Sequence, residues 1–160
     1  MIYIILPVHN RKKITEKFIK SLINQSYQNY QLLLIDDGSV DATDQMVLSY
    51  IPNSKILYGN GNLWWAGSLQ KGYNWLMKHV INEDDMVLLI NDDTEFSSDF
   101  LNTAVELLKG KEKTLLKAWS IDKHSQKKHD GYIKVDLKKL QYSNTNNALE
   151  CNCASTRGLF

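Results

Sequence analysis

Two adjacent carboxylates, Asp92 and Asp93, follow the apolar run 86–90 in a stretch that reads Asn91-Asp92-Asp93. Neighbouring acids repel, and each is costly to bury without a cation beside it. A divalent metal bound to a diphosphate would relieve both, because Mg²⁺ and Mn²⁺ take carboxylate and phosphate oxygens. An acidic turn, or an N-cap for a following helix, accounts for the same residues without a ligand. Asp36-Asp37-Gly38-Ser39 ends a second apolar run, 32–35. There Gly38 suits a turn and Ser39 or Asp41 a helix cap; the functional alternative is a carboxylate accepting from a nucleobase N–H or a ribose hydroxyl.

Gly59-Asn60-Gly61-Asn62 precedes a helical pattern but matches no phosphate-loop motif. Trp64 stands where G-x-G-x-x-G needs its third glycine, and no Gly-Lys-Ser/Thr follows. The helix opened by Ala66-Gly67-Ser68 could still turn its free N–H groups to an anion, with Lys71 one turn in as a phosphate partner or simply an exposed helix lysine. Trp64 and Trp65 could stack on a sugar or base, or pack in a core. His9 has a backbone group or a ligand as its partner, whereas His124 and His129 fall in a polar turn and read as solvated. Cys151 and Cys153, two positions apart, would make a strained disulfide and a poor zinc site, so they read as reduced thiols.

These residues need elements to position them. Residues 2–6, 32–35, 55–58 and 86–90 read as strands. Helical patterns lie between them. The first buries Ile14, Phe18, Leu22 and Ile23. The second, 40–51, buries Val47, Tyr50 and Ile51 and ends at Pro52. The third, 66–80, places Ala66, Leu69, Tyr73, Leu76, Met77 and Val80 on one face. A fourth, capped by Ser97 or Ser98, runs through Leu108 to a stop at Gly110. This alternation predicts an α/β fold: an open, mostly parallel sheet with helices on both faces. Ligands of such sheets bind at the carboxyl ends of the strands. Segments 7–11, 36–39, 59–62 and 91–93 should therefore converge on one rim. Beyond Lys111, residues 114–121 suggest a strand, 122–130 a polar turn, 132–135 a return strand and 141–147 a loop.

The length of 160 residues suits one domain, and 43% hydrophobic with 23% charged residues is ordinary globular composition. Nineteen basic against eighteen acidic residues, a net charge of +1, argue against a nucleic-acid partner. No apolar run approaches the roughly 18–20 residues of a membrane span, and the N-terminal segment lacks the features of a signal peptide. A cytoplasmic protein, peripheral at most to the inner membrane face, is the expectation.

Pro7-Val8-His9-Asn10-Arg11, residues 36–43, residues 60–72 and Leu89-Ile90-Asn91-Asp92-Asp93-Thr94, in that order, resemble the family 2 glycosyltransferases with the Rossmann-like GT-A fold. The resemblance covers about residues 1–120. It implies a nucleotide-sugar donor, a UDP- or dTDP-sugar, and a saccharide or lipid-linked acceptor. It implies a divalent metal, Mg²⁺ or Mn²⁺, held with the donor diphosphate, and displacement with inversion. Pro7 and His9 would lie near base and ribose. Asp37 would take the base, and Asp36 the ribose or a neighbouring loop. Asp92 would sit near ribose or sugar, and Asp93 would bind the metal. Asn91 replaces the first Asp of the family's D-x-D. Asn62-Leu63-Trp64 and Gln70-Lys71-Gly72 depart from its Asn-x-Gly elements. No residue matches the family's catalytic base, which is expected beyond residue 160; residues 1–160 thus read as one donor-binding domain without its acceptor half. A non-catalytic nucleotide- or partner-binding module is the alternative, and a sugar-nucleotide nucleotidyltransferase a weaker one.

Overall fold

The computed structural model describes residues 1–79, 82, 84–122, 125, 126, 128, 129, 132–136, 138, 139, 141–144, 153 and 154. Four parallel strands form its main sheet: β1 (Ile2–Val8), β2 (Tyr30–Asp36), β3 (Lys55–Tyr58) and β4 (Met86–Leu89). Their order is β3-β2-β1-β4, which puts the first strand in the interior. Four helices follow them in turn: α1 (Lys12–Ile23), α2 (Thr43–Tyr50), α3 (Trp64–Lys78) and α4 (Phe100–Leu108).

The central strands are apolar on both faces because both faces are covered. On one face Ile2, Ile4, Leu6, Leu32 and Leu34 pack with Phe18 and Ile19 of α1, Val47 of α2 and Leu101 of α4. On the other, Tyr3, Ile5, Leu33 and Ile35 pack with Leu76 of α3. The expected doubly covered sheet is therefore present, three helices on one side and one on the other.

The helix faces differ from expectation in ways that close packing explains. In α1 the buried face is Thr15, Phe18, Ile19 and Leu22, and Ile14 is exposed. In α2, Tyr50 turns outward and donates to Glu16 Oε1 at 2.8 Å. In α3 the buried stripe is Ser68, Gly72 and Leu76, while Tyr73 and Met77 are exposed. Small residues let this helix approach the sheet: a Cβ on Gly72 would stand 2.8 Å from Ile5 Cγ2. Neither Ser97 nor Ser98 caps α4. The cap comes from the buried Gln25, whose Oε1 accepts from Leu101 N (2.9 Å) and whose Nε2 donates to the Ser97 carbonyl (2.7 Å).

The later residues form β5 (Ser120–Ile121), β6 (Lys128–His129), β7 (Tyr132–Asp136), β8 (Gln141–Asn144) and β9 (Cys153–Ala154), in two antiparallel sheets ordered β5-β6 and β8-β7-β9. The expected strand over 114–121 is confined to its last two residues. His129 belongs to β6 rather than a turn. Gln141–Asn144, expected as loop, pairs with β7. Backbone ladders do not require apolar side chains, and the exposed Gln141 and Ser143 are the outward set of a period-two strand. Val80, His124, Cys151 and residues 145–147 and 155–160 lie outside the described residues. Among those described, no helix is long and apolar enough to cross a membrane.

Candidate functional site

The parallel register sets the strand ends side by side: Val8 faces Asp36, and Asp36 faces Tyr58. Segments 7–11, 36–39, 59–62 and 91–93 thus leave the sheet along one rim, as expected. Hydrogen bonds lock the first two together. Asp37 N donates to the Val8 carbonyl (3.0 Å), Asn10 N to Ser39 Oγ (3.0 Å) and Val40 N to Asn10 Oδ1 (2.8 Å). His9 Nδ1 lies 2.5 Å from the Asp37 carbonyl. A carbonyl only accepts, so Nδ1 carries the proton and Nε2 is left to accept from Asn10 Nδ2 at 3.1 Å. The partner of His9 is therefore a backbone group.

Asp36 and Asp37 do different work. Asp36 is buried, and its Oδ1 accepts from Ser39 N at 2.7 Å, closing the turn after β2. Asp37 reaches the next loop: Oδ1 accepts from Gly61 N (2.8 Å), and Oδ2 from Leu63 N (2.9 Å) and Trp64 N (3.1 Å). Gly59 permits this approach, since a Cβ there would overlap Asp37 Oδ1. The anion at the start of α3 is thus Asp37 itself, and the helix opens at Trp64 rather than Ala66. Trp64 is held at φ +55° with 81% of its surface exposed.

Asp41 ties a second pair of elements. It accepts from Lys12 N (2.9 Å) at the head of α1 and from Thr43 N (3.1 Å) at the head of α2, as well as from the Thr43 hydroxyl. Of the two caps expected here, Asp41 takes the helix and Ser39 takes the Asn10 amide.

The acid pair after β4 is asymmetric. Asp92 is 3% exposed, and its Oδ2 accepts from Thr15 Oγ1 at 2.9 Å. Burial pushes its carboxyl above the ordinary aspartate range; the Thr15 hydrogen bond and the Arg11 charge oppose this, while the Asp93 charge adds to it. The Asp93 side chain is 54% exposed. Arg11 spans the two acids, with Nε 3.2 Å from Asp92 Oδ2 and Nη2 3.4 Å from Asp93 Oδ2. Asn91 Oδ1, beside them, is buried without a hydrogen-bond partner.

A cavity of about 220 Å³ lies on this rim, lined among others by Pro7, His9, Asp37, Trp65, Ser68 and Asp92. Five of the expected site residues therefore meet: Pro7, His9, Asp37, Trp65 and Asp92. Asp36 sits beneath the rim, Asp93 at its solvent edge, and half-buried Lys71 on α3 outside the lining. Trp64, expected with Trp65 to stack on a ligand or pack in a core, lines the cavity as well; Arg11 also lines it and Thr15 supports it, although neither of these two was a sequence candidate for a defined role. Thr15 carried a signal, as the one polar residue on the buried face of α1. A larger groove of about 350 Å³ lies along α1 by Lys17, Lys20 and Phe96, away from the strand ends.

Residues 3–159 match the family described as Glycosyl transferase family 2. The chain belongs to that family. Among curated relatives of this family 2 chain, a glycosyltransferase of Haemophilus influenzae is 44% identical over 55 residues, 34% of this chain and 22% of the relative. The minor teichoic acid biosynthesis protein GgaA of Bacillus subtilis is 41% identical over 63 residues, 38% of this chain and 13% of the relative. Among solved structures, residues 1–349 of S. aureus TarS superpose with a TM-score of 0.66 at 20% identity, over 99% of this chain and 46% of that 1–349 chain. A mannosyltransferase of Pyrobaculum calidifontis, in complex with GDP-Man and Mn²⁺, gives 0.62 at 18% identity, over 78% of this chain and 36% of that one. The family 2 chain thus has the Rossmann-like GT-A fold, and it spans less than half the length of these proteins.

The donor set can be tested for a metal on its own chemistry. Among the described residues no cluster of three or more His, Cys, Asp and Glu could hold an ion unaided. Asp93 is exposed, and Asp92 is fixed beside it. The exposed Asp93 carboxylate, completed by phosphate oxygens and water, suits a hard divalent cation that arrives with a diphosphate. The residues fit such an ion.

Proposed function

We propose that this family 2 domain binds a UDP- or dTDP-sugar at the rim cavity, and that the protein transfers the sugar to a saccharide or lipid-linked acceptor with inversion. One observation carries this reading: Pro7, His9, Asp37 and Trp65 line one cavity that the Asp92–Asp93 pair lines or flanks, at the carboxyl ends of four parallel strands.

Pro7 and His9 form the floor for base and ribose, with His9 held in one tautomer by the Asp37 carbonyl. The Asp37 carboxylate has about four acceptor sites, of which three hold the 61–64 loop. The remaining site, on Oδ1, is assigned to the N–H of uracil or thymine. Trp65 stacks on the donor. Asp92 accepts a hydroxyl of ribose or sugar. Asp93 holds the metal, which when bound supplies Lewis-acid neutralisation of the departing diphosphate. Lys71 is given no contact. Residues 1–160 act together as the donor-binding domain.

Calorimetric titration of UDP, dTDP and GDP, with and without Mn²⁺, tests the proposal on the wild-type chain and on Asp93→Ala. UDP or dTDP should bind in a metal-dependent manner that Asp93→Ala abolishes. A folded chain that binds none of the three nucleotides would overturn the reading.

A further inference from the structure

We propose that Arg11 is a tethered competitor of the divalent cation: its guanidinium holds the Asp92–Asp93 pair, yields Asp93 to the metal, and then pairs with the donor's diphosphate. The inference rests on the nucleotide-sugar reading above and assigns a role to a residue that reading leaves unused.

The geometry is that of a cation bridging two acids without a tight fork. A bidentate guanidinium–carboxylate pair closes to about 2.7–2.9 Å. Here the two contacts are 3.2 and 3.4 Å, they go to different carboxylates, and the buried Nε has no aligned hydrogen-bond acceptor. The bridge is therefore attractive but displaceable. Its two ends differ. Asp92 is buried and fixed by Thr15, whereas Asp93 is exposed, so exchange takes place at Asp93.

The backbone of Arg11 stays in place while the side chain exchanges. Its carbonyl accepts from Ile14 N and Thr15 N, both at 2.9 Å, in the first turn of α1. Its side chain is 39% exposed and lines the cavity. A guanidinium displaced from Asp93 thus remains beside any ligand there, and its planar donors match phosphate oxygens. Metal and diphosphate then favour each other's entry. The metal frees Arg11 for the diphosphate, and the diphosphate draws Arg11 from the carboxylate the metal needs.

Removing the charge should move the two affinities in opposite directions. Arg11→Met should bind Mn²⁺ alone more tightly, by about 3- to 10-fold, because the acids lose their resident cation. It should bind UDP or dTDP more weakly, by about 10-fold or more at saturating Mn²⁺. Free Mn²⁺ read by electron paramagnetic resonance gives the first affinity, and calorimetry the second. Arg11→Lys keeps the charge and loses the fork, so its affinity for Mn²⁺ alone should stay near wild type while nucleotide affinity falls. Weakening of both ligands in Arg11→Met, or no change in either, would overturn the proposal. If wild type binds no nucleotide, the donor reading fails, and the Mn²⁺ titration alone still decides whether Arg11 competes for the acids.

Discussion

The Thr15 hydroxyl, on the buried face of α1, donates to Asp92 Oδ2 at the end of β4 across 2.9 Å. It joins the helix after the first strand to the carboxylate after the fourth. Hydrogen bonds to charged groups contribute about 1.5–3 kcal/mol, and an abandoned buried partner is costly. Thr15→Val should therefore lose about 2 kcal/mol in urea denaturation, and Thr15→Ser should recover most of it. Equal stability of the Val and Ser variants would show that the bond contributes nothing.

Two aspartates with opposite shifts contribute opposite pH dependences. Burial raises Asp92 in the folded chain, so the folded state keeps its proton to higher pH than the unfolded state. Its contribution to stability is therefore greatest in acid and falls as pH rises from the ordinary aspartate range through the raised value. Thr15→Val removes a lowering influence and should carry that window further upward. At Asp41 burial raises the carboxyl, but hydrogen bonds from the Thr43 hydroxyl and from the Lys12 and Thr43 N–H groups outweigh it, and the net shift is downward. Its contribution is present above the ordinary range and lost as pH falls through the lowered value. Denaturation against pH in EDTA should show the Asp41 loss disappear in Asp41→Asn.

Asp37 fixes the loop before α3 with bonds to Gly61, Leu63 and Trp64. In Asp37→Asn one oxygen becomes an NH₂ facing donors. The amides of these residues should exchange with solvent about 10-fold faster or more, while those of β1 stay protected. Unchanged protection at Gly61 and Leu63 would contradict this account of the loop.

Gly72 and Gly67 share α3 but should respond oppositely to alanine. Alanine gains about 1 kcal/mol of helix propensity over glycine at either position. At Gly72 the new methyl meets the buried, β-branched Ile5 at 2.8 Å, and overpacking of that kind costs about 1–3 kcal/mol. At Gly67 the nearest atom is Leu63 Cβ at 3.3 Å, which a small adjustment relieves. Thermal unfolding should rank Gly67→Ala at or above wild type and Gly72→Ala below it.

Trp64 combines a positive φ with a largely exposed indole. The backbone strain is about 1–2 kcal/mol, and little burial offsets it. Trp64→Gly should be no less stable than wild type despite losing the largest side chain. If the indole serves the donor, this variant should bind a UDP- or dTDP-sugar more weakly than wild type does. Thermal unfolding and calorimetry separate the two effects.

The framework was legible because β1 and β2 are apolar on both faces, a pattern that parallel sheets covered by helices require. The rim was legible for the same reason, since polar clusters after successive parallel strands must share an edge. Partners were not. Nothing local to Asp37 names Gly61 or Trp64, and nothing local to Leu101 names Gln25, because these bonds exist only after distant segments meet. The buried face of α3 was misread because Ser68 and Gly72 carry no hydrophobic signal; their smallness is what lets the helix seat on Ile5. Arg11 sat in plain view within segment 7–11, but its role depends on where Asp92 and Asp93 arrive.

The interior position of β1 has a consequence for synthesis. This strand leaves the ribosome before either partner, and its apolar faces wait. Pairing with β2 becomes available once Asp36 has emerged, but the other edge stays open until Leu89 has followed. During that interval a nascent chain carries an unpaired, hydrophobic strand edge of the kind that recruits other chains. Its safe passage falls to whatever shields the first strand during translation.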